Sequence, residues 1–397
     1  MRMVMRKSLV ALAAASVLLA GCSSTVAGTP VADPSGVPKP ETGSFATTPR
    51  TIGPTSQGDG EALEGYRMAE VVPYIHEIDP SMHFRGDVTT GSRESIQLGV
   101  KNLFGQAVAD AVGAKPEVWV AVGAGDTQQG TKYDPKKRQR GSKVAVLRMA
   151  NAGDAAATVG PALRAADKDS SGKAGRPKVE TRIPGYDGAV AYTVDYETAG
   201  RPTIAFLAYK QYVIGVYGDF TVEQIRTYFD RQTKALDGFR PTPLDKVSTL
   251  QRDAEGVARL TLAPEKGEGG FALPARSAVL RQTDVSRSVK TFADAGVDVV
   301  GSGGNTVYRA KDAQGAQHVM SEFSDETRKA FPAFEEEKVT GAPGATCLTF
   351  PVYEGATSKL TWCSVAVGRY VAEVVTSQRQ KAVQGIGAAY LILKNNG

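Results

Sequence analysis

Short apolar runs alternate with amphipathic stretches along this chain in an order that occurs twice. The run Lys143-Val144-Ala145-Val146-Leu147-Arg148-Met149 predicts a strand, and Asn151 behind it predicts the cap of an alanine-rich helix towards Ala166. Later, Asn305-Thr306-Val307-Tyr308-Arg309-Ala310 predicts a strand, and Asp312 a helix through Ala316, Val319, Met320 and Phe323. In both units a Gly-Ala pair, Gly188-Ala189 or Gly344-Ala345, opens a strand. A turn, a second strand and a tight bend follow, and a third strand starts at Tyr212-Val213 or Tyr370-Val371. Each unit closes with a one-faced helix: Thr221 to Leu236, carrying Val222, Ile225 and Phe229, and Gln380 to Leu393, carrying Val383, Ile386, Tyr390 and Leu393. Upstream, helices over Ser92 to Ala111 and Asp284 to Ala295 each precede a short apolar strand, Val118 to Val122 and Val297 to Val300.

A period of about 160 residues is too long for a solenoid and points to a duplicated domain. The expected fold is α+β: two duplicated domains, 61–242 and 257–397, each an antiparallel sheet with helices packed on one face, with the boundary between Arg240 and Gly256. Length agrees, because about 340 residues behind the N-terminal region exceed what one hydrophobic core usually serves.

The N-terminus breaks the pattern. Arg2, Arg6 and Lys7 precede an uncharged apolar run from Leu9 to Leu19, too short for a finished membrane span, and Leu19-Ala20-Gly21-Cys22 closes it. This order reads as a lipoprotein signal over 1–21, with Cys22 the lipidated first residue of the mature chain. Two or more acyl chains at about 0.8 kcal/mol per buried methylene hold such a protein at the extracytoplasmic face of the cell membrane. From 22 to 60 the chain is rich in Ser, Thr, Pro and Gly, and Pro30, Pro34, Pro38, Pro40, Pro49 and Pro54 stiffen it, so a disordered tether is expected.

Loss of the signal removes three cations and lowers the formal net charge from +5 to +2, which leaves no electrostatic case for nucleic acid as a partner. The one dense basic run, Lys136-Lys137-Arg138-Gln139-Arg140, has no aromatic interleaving and reads as a solvated loop.

Besides Cys22 there are only Cys347 and Cys363. A hairpin over 345–353 and 359–366 that turns at Gly355 sets these two opposite each other, in a compartment where a disulfide persists. The equivalent positions in the first unit are Ala191 and Ala205. Their separation differs from that of the cysteines by an even number, so no side chain changes face.

Candidate chemistry is sparse. His76, His83 and His318 share no metal-ligand spacing, and no metal or other cofactor is expected. Gly123-Ala124-Gly125-Asp126 lacks the third glycine of a dinucleotide loop and reads as a turn. Gly301-Ser302-Gly303-Gly304-Asn305 joins two strands. Nucleophilic motifs are missing, so no catalytic residue is assigned, and Glu335-Glu336-Glu337 reads as a solvated face.

Several passages nevertheless carry a likeness: Leu19-Ala20-Gly21-Cys22 with Val26-Ala27-Gly28-Thr29-Pro30, Tyr66-Arg67-Met68-Ala69, Leu273-Pro274-Ala275-Arg276-Ser277-Ala278, and Phe292-Ala293-Asp294-Ala295-Gly296-Val297-Asp298. In these the chain resembles the two-domain lipoproteins of mycobacteria and related actinobacteria, a family classified as a domain of unknown function. The resemblance implies location and architecture and supplies no active-site residue. Two functional classes follow. One is a non-enzymatic envelope module that binds a lipid, a glycan or a partner protein. The other, less favoured, is an envelope hydrolase working through carboxylates such as Asp294, Asp298 or Glu335.

Overall fold

The apolar runs of the sequence lie in two seven-stranded sheets, and every strand pairing in both is antiparallel. The computed structural model describes residues 36, 38–130, 132–134, 136–165, 177–196, 200–265 and 269–396. Cys22, the signal 1–21 and the tether as far as residue 35 lie outside the described residues.

The N-terminal domain runs α1 (Gln57–Ala69), β1 (Phe84–Thr90), α2 (Ile96–Phe104), α3 (Gln106–Val112), β2 (Val118–Gly125), β3 (Gly141–Arg148), α4 (Ala152–Ala157), α5 (Leu163–Ala165), β4 (Lys178–Glu180), β5 (Val190–Val194), β6 (Thr203–Tyr209), β7 (Tyr212–Gly218) and α6 (Val222–Gly238). The C-terminal domain follows with β8 (Phe271–Pro274), α7 (Ala275–Ala278), α8 (Val285–Ala295), β9 (Val299–Ser302), β10 (Thr306–Arg309), α9 (Ala313–Ala330), β11 (Glu335–Lys338), β12 (Thr346–Pro351), β13 (Lys359–Val367), β14 (Tyr370–Thr376) and α10 (Arg379–Asn396).

Strand order in the first sheet is β1-β2-β3-β7-β6-β5-β4, and in the second, read from its other edge, β8-β9-β10-β14-β13-β12-β11. The two orders are the same, so the duplication read from the sequence is a duplication of topology. Side-chain chemistry repeats as well. Arg148 ends β3 and pairs with Glu117 just before β2 at 3.7 Å, while Arg309 ends β10 and pairs with Asp298 just before β9 at 2.8 Å.

Local signals set the helix starts. Asn151, Thr221, Asp284 and Asp312 each accept a hydrogen bond from the backbone N–H three residues on, and Thr221 with Gln224 completes a capping box. The helix expected over 92–111 is broken at Gly105, whose φ of 96° no other residue adopts cheaply.

One expectation is corrected: helices cover both faces of each sheet. Alternate residues of β2 enter different cores, Val118, Val120 and Val122 beneath α1 and α6, and Trp119 and Ala121 beneath α2, α3 and α4. In the C-terminal domain α10 covers one face and α8 with α9 the other. Strands buried on both sides read as continuous apolar runs, so their sequence shows no hydrophobic-polar alternation that would leave one face for water.

The tether read to residue 60 is corrected over its last part: Ser56 caps α1, which 57–60 open, and the segment before it docks on the C-terminal domain. Phe45 packs against that core, and the Arg50 N–H donates to the Arg259 carbonyl at 3.0 Å. Arg50 Nη1 donates to the Gly269 carbonyl at 2.7 Å and Gln384 Nε2 to Glu41 at 2.7 Å. An extended proline-bearing strand has no internal hydrogen bonds, so it gains by docking its polar groups on a neighbour.

The acidic run Glu335-Glu336-Glu337 forms the edge strand β11, where exposed charge discourages pairing with another chain. Gly123 to Gly125 belong to β2, and the turn starts only at Asp126. In the basic loop, Arg138 is paired with Asp219, and Arg140 lies 3.4 Å from Asp79.

The domains meet where β1 is extended by the segment before α8. Arg85 N–H donates to Thr283 O at 2.7 Å, Gly86 N–H to Gln282 O at 3.0 Å, and Val285 N–H to His83 O at 2.8 Å. Arg276 reaches back across this junction to the carbonyls of Glu70 and Val72 and lies over the Tyr74 ring at 4.3 Å. Among the described residues no helix is long and apolar enough to cross a membrane.

Candidate functional site: a cavity in the C-terminal domain

Between the C-terminal sheet and α9 lies a cavity of about 340 Å³. Apolar side chains, Leu273, Val300, Phe323, Phe331, Phe350 and Leu360 among them, make up somewhat more than half of its lining, and polar ones the rest. The rings of Phe331 and Phe350 stack at 4.0 Å. Gln129, from the loop after β2 of the N-terminal domain, stands at the cavity's edge, and Gln282 and Thr283 carry the domain junction into its wall.

A hydrogen-bonded trio forms the polar floor. Glu373 of β14 accepts from the Tyr308 hydroxyl at 2.6 Å and from Trp362 Nε1 at 3.0 Å, and Gln282 Nε2 donates to the Tyr308 oxygen at 3.3 Å. Alternation places the three on one face: Tyr308 is opposite Val371 and Ser364 is opposite Glu373, so 308, 362, 364, 371 and 373 point the same way. Dense protein around the Glu373 carboxyl pushes its pKa up, although the two donors pull the other way, and the surface it keeps accessible is at the cavity. Burial also raises the Tyr308 phenol well above its usual value, so the shared proton stays on the phenol.

Glu326 of α9 is the second carboxyl on this cavity. It is 7% exposed, and its Oε1 has no hydrogen-bond partner. Burial, then the nearby carboxylate of Asp284, and those of Glu373 and Glu322 push it up to about 7 against the pull of Arg287. Arg287 itself grips Glu322 through Nε at 3.1 Å and Nη2 at 2.9 Å. The Ser364 hydroxyl beside Glu373 is likewise buried and unpartnered. Buried polar atoms without partners are rare and costly, so one of them on a residue that lines the cavity, Glu326 Oε1, is a specific observation.

The N-terminal copy provides the control. Strand register makes Leu147 the counterpart of Tyr308, Ile204 that of Trp362 and Gly215 that of Glu373. There the space is filled: a Cβ on Gly215 would stand 2.7 Å from Phe104 Cζ, and Phe104 packs edge-on against Phe206 with centroids 5.0 Å apart. The same face is therefore a closed apolar core in one copy and a cavity with a buried acid, a phenol and an indole in the other.

None of the carboxylates considered from sequence joins this cavity. Asp294 is paired with Lys290, Asp298 with Arg309 at 2.8 Å and Glu335 with Lys359 at 2.8 Å; these partners hold all three below the ordinary carboxylate range. Ser286, His83 and Asp284 do meet at the domain junction, but both the serine hydroxyl, at 3.2 Å, and the Asp284 carboxylate, at 2.9 Å, contact the same ring atom, His83 Nδ1. A nucleophilic triad needs the serine and the acid on opposite ring nitrogens, and Asp284 already caps α8, so the cluster is a junction lock. Cys347 and Cys363 are directly opposed on β12 and β13 and form a disulfide with Cα atoms 4.0 Å apart; Ala191 and Ala205 are likewise opposed on β5 and β6.

Family comparison agrees with the two-copy architecture. Residues 52–252 match the model described as domain of unknown function (DUF7373) N-terminal, and 257–396 match its C-terminal counterpart. The chain belongs to the DUF7373 family. No curated protein and no solved structure matches it. Within this DUF7373 chain the cavity residues Tyr308, Glu326, Trp362 and Glu373 had one signal in the sequence. A glutamate at 373, inside an otherwise apolar strand, stands where the first copy has a glycine.

Proposed function

We propose that the protein is a lipid-anchored, non-enzymatic binding module of the cell envelope, whose C-terminal domain holds an apolar ligand in the cavity beneath α9. The observation that carries this reading is the contrast between copies. One fold, repeated in one chain, packs Phe104, Leu147 and Ile204 where the other keeps open space lined by aromatic rings and a few convergent polar groups. Lipids fit such walls best among the envelope ligands, which include glycans and partner proteins.

Anchoring rests on Leu19-Ala20-Gly21-Cys22, with Cys22 acylated at the extracytoplasmic face, and the resemblance to mycobacterial-type lipoproteins supports an actinobacterial envelope as its setting. Asp294, Asp298 and Glu335 lend the hydrolase reading no support, since each is held in a surface ion pair away from the cavity.

Native mass spectrometry of the full chain, purified without detergent from an actinobacterial host, tests the binding reading. A reproducible added mass that denaturation removes, and that Val300→Trp in the cavity wall abolishes, is the expected result. A clean unliganded mass that no apolar compound shifts would overturn it.

A further inference from the structure

We propose that the ligand of this cavity is an amphiphile with a cationic head, an alkylammonium group seated between Glu326 and Glu373 with its chain along Leu273, Phe350 and Leu360. This rests on the reading of the cavity as a ligand site and names its ligand's chemistry.

The cavity's polar groups are mostly acceptors, or donors already in use. The Tyr308 proton and the Trp362 N–H are both committed to Glu373, which leaves Glu373, Tyr308 and Glu326 as lining residues with acceptor capacity and no donor to spare. Glu326 Oε1 is the unpartnered member, nine-tenths buried. A group with several N–H donors and a positive charge completes all of these at once, whereas a hydroxyl offers a single donor and a carboxylate none.

Charge points the same way. Around the two carboxyls stand Asp284 at the start of α8 and Glu322 on α9. The cations that face them are Arg287, held by Glu322, and Arg281 at the exposed rim, donating to the Ser302 hydroxyl at 3.1 Å. His83 faces Asp284 at 2.9 Å. Two neighbouring carboxyls this deeply buried cannot both ionise cheaply without a counter-charge, and a bound ammonium would supply one. Phe323, Phe331, Phe350 and Trp362 add aromatic faces, which attract organic cations.

The chain's two tryptophans make the test specific, because Trp362 lines the cavity while Trp119 sits in the N-terminal core. In the full chain carrying Trp119→Phe, tryptophan fluorescence is titrated with octylamine, octanol and octanoate at pH 8 and again at pH 5.5. The expected result is that octylamine binds at least tenfold tighter than octanol at pH 8 and that the preference collapses at pH 5.5, where Glu326 is protonated, while octanol binds alike at both. Glu326→Gln should erase the preference for the amine over the alcohol. Equal binding of amine and alcohol, or tightest binding of octanoate, would overturn the cationic head and leave the apolar site standing. Failure of all three probes to bind would overturn both.

Discussion

Glu373 and Gly215 are each the fourth residue of the seventh strand in their copy of the fold. The glycine is what lets Phe104 close the N-terminal core, and the glutamate is what opens the corresponding space to polar chemistry. A buried carboxyl costs stability unless it is hydrogen-bonded, and here a phenol and an indole are spent on it. The C-terminal copy therefore carries a polar arrangement that folding does not require, since the N-terminal copy reaches the same topology without it.

Gly215→Ala should destabilise the N-terminal domain. The added methyl stands 2.7 Å from Phe104 Cζ and 3.3 Å from Phe206 Cε1, so the half-buried Phe104 ring must shift against the core it packs on. Overpacking of this kind costs about 1–3 kcal/mol. Denaturant melts of Gly215→Ala and of Gly215→Ala with Phe104→Leu check it, because the smaller leucine side chain should recover part of the loss. An unchanged midpoint for the single variant would contradict the packing described for this face.

Glu326 makes stability depend on pH. Its carboxyl is raised from 4.5 to about 7 by burial and neighbouring carboxylates, so the folded chain holds this proton more tightly than the unfolded chain does. The stability it contributes is fully present below the unfolded value and is lost as pH rises through about 7. The full effect is on the order of 3 kcal/mol. Glu326→Gln should leave stability at pH 4 nearly unchanged, raise it at pH 8 and flatten the profile between. Chemical denaturation at half-unit intervals reads all three.

The disulfide should stabilise without directing the fold. Cys347 and Cys363 are 16 residues apart, and a cross-link closing a loop of that size contributes about 3 kcal/mol by restricting the unfolded chain. Ala191 and Ala205 occupy the same opposed positions in the other copy, on strands that pair without any cross-link. The doubly substituted Cys347→Ala/Cys363→Ala chain should therefore keep its circular dichroism spectrum and lose thermal midpoint, and reduction of the parent should match it. Loss of the native spectrum would show that the cross-link is needed to form the sheet.

The sequence carries the duplicated order of elements, the opposed cysteines and the helix starts at Asn151, Thr221, Asp284 and Asp312, because these are local or periodic signals: a capping side chain acts within one turn, and an even spacing keeps a strand's faces in register. What it hides depends on contact between distant segments. The second helical layer is illegible because strands such as β2 are apolar at nearly every position. Edge strands such as β1 and β11 are illegible because Arg85, Asp87 and Glu335 to Glu337 look like loop residues. The cavity is hidden because Tyr308, Glu326, Trp362 and Glu373 come from four elements and gain meaning only together. Comparing the two copies position by position marks Glu373 against Gly215, and that is as far as the linear signal reaches.

Arg276 is the side chain whose loss should loosen the two domains most cleanly. It donates to the carbonyls of Glu70 and Val72 at the end of α1 and covers the Tyr74 ring, so one guanidinium fills three acceptor sites across the junction. Hydrogen bonds from a charged donor contribute about 1.5–3 kcal/mol each, and a partly exposed cation–π contact about 0.5–1 kcal/mol, with overlap between them. Arg276→Ala leaves two carbonyls to water and uncovers Tyr74, while the cores on either side keep their packing. Limited proteolysis should then cut faster around 240–256, between α6 and β8, with each domain fragment surviving longer than the intact chain. Arg276→Lys should rescue only in part, since an ammonium cannot hold two divergent carbonyls and lie flat on a ring. If Arg276→Ala resists protease as the parent does, the β1 pairing with residues 282–285 holds the domains alone, and Gly86→Pro, which removes the N–H donated to Gln282, should loosen them instead.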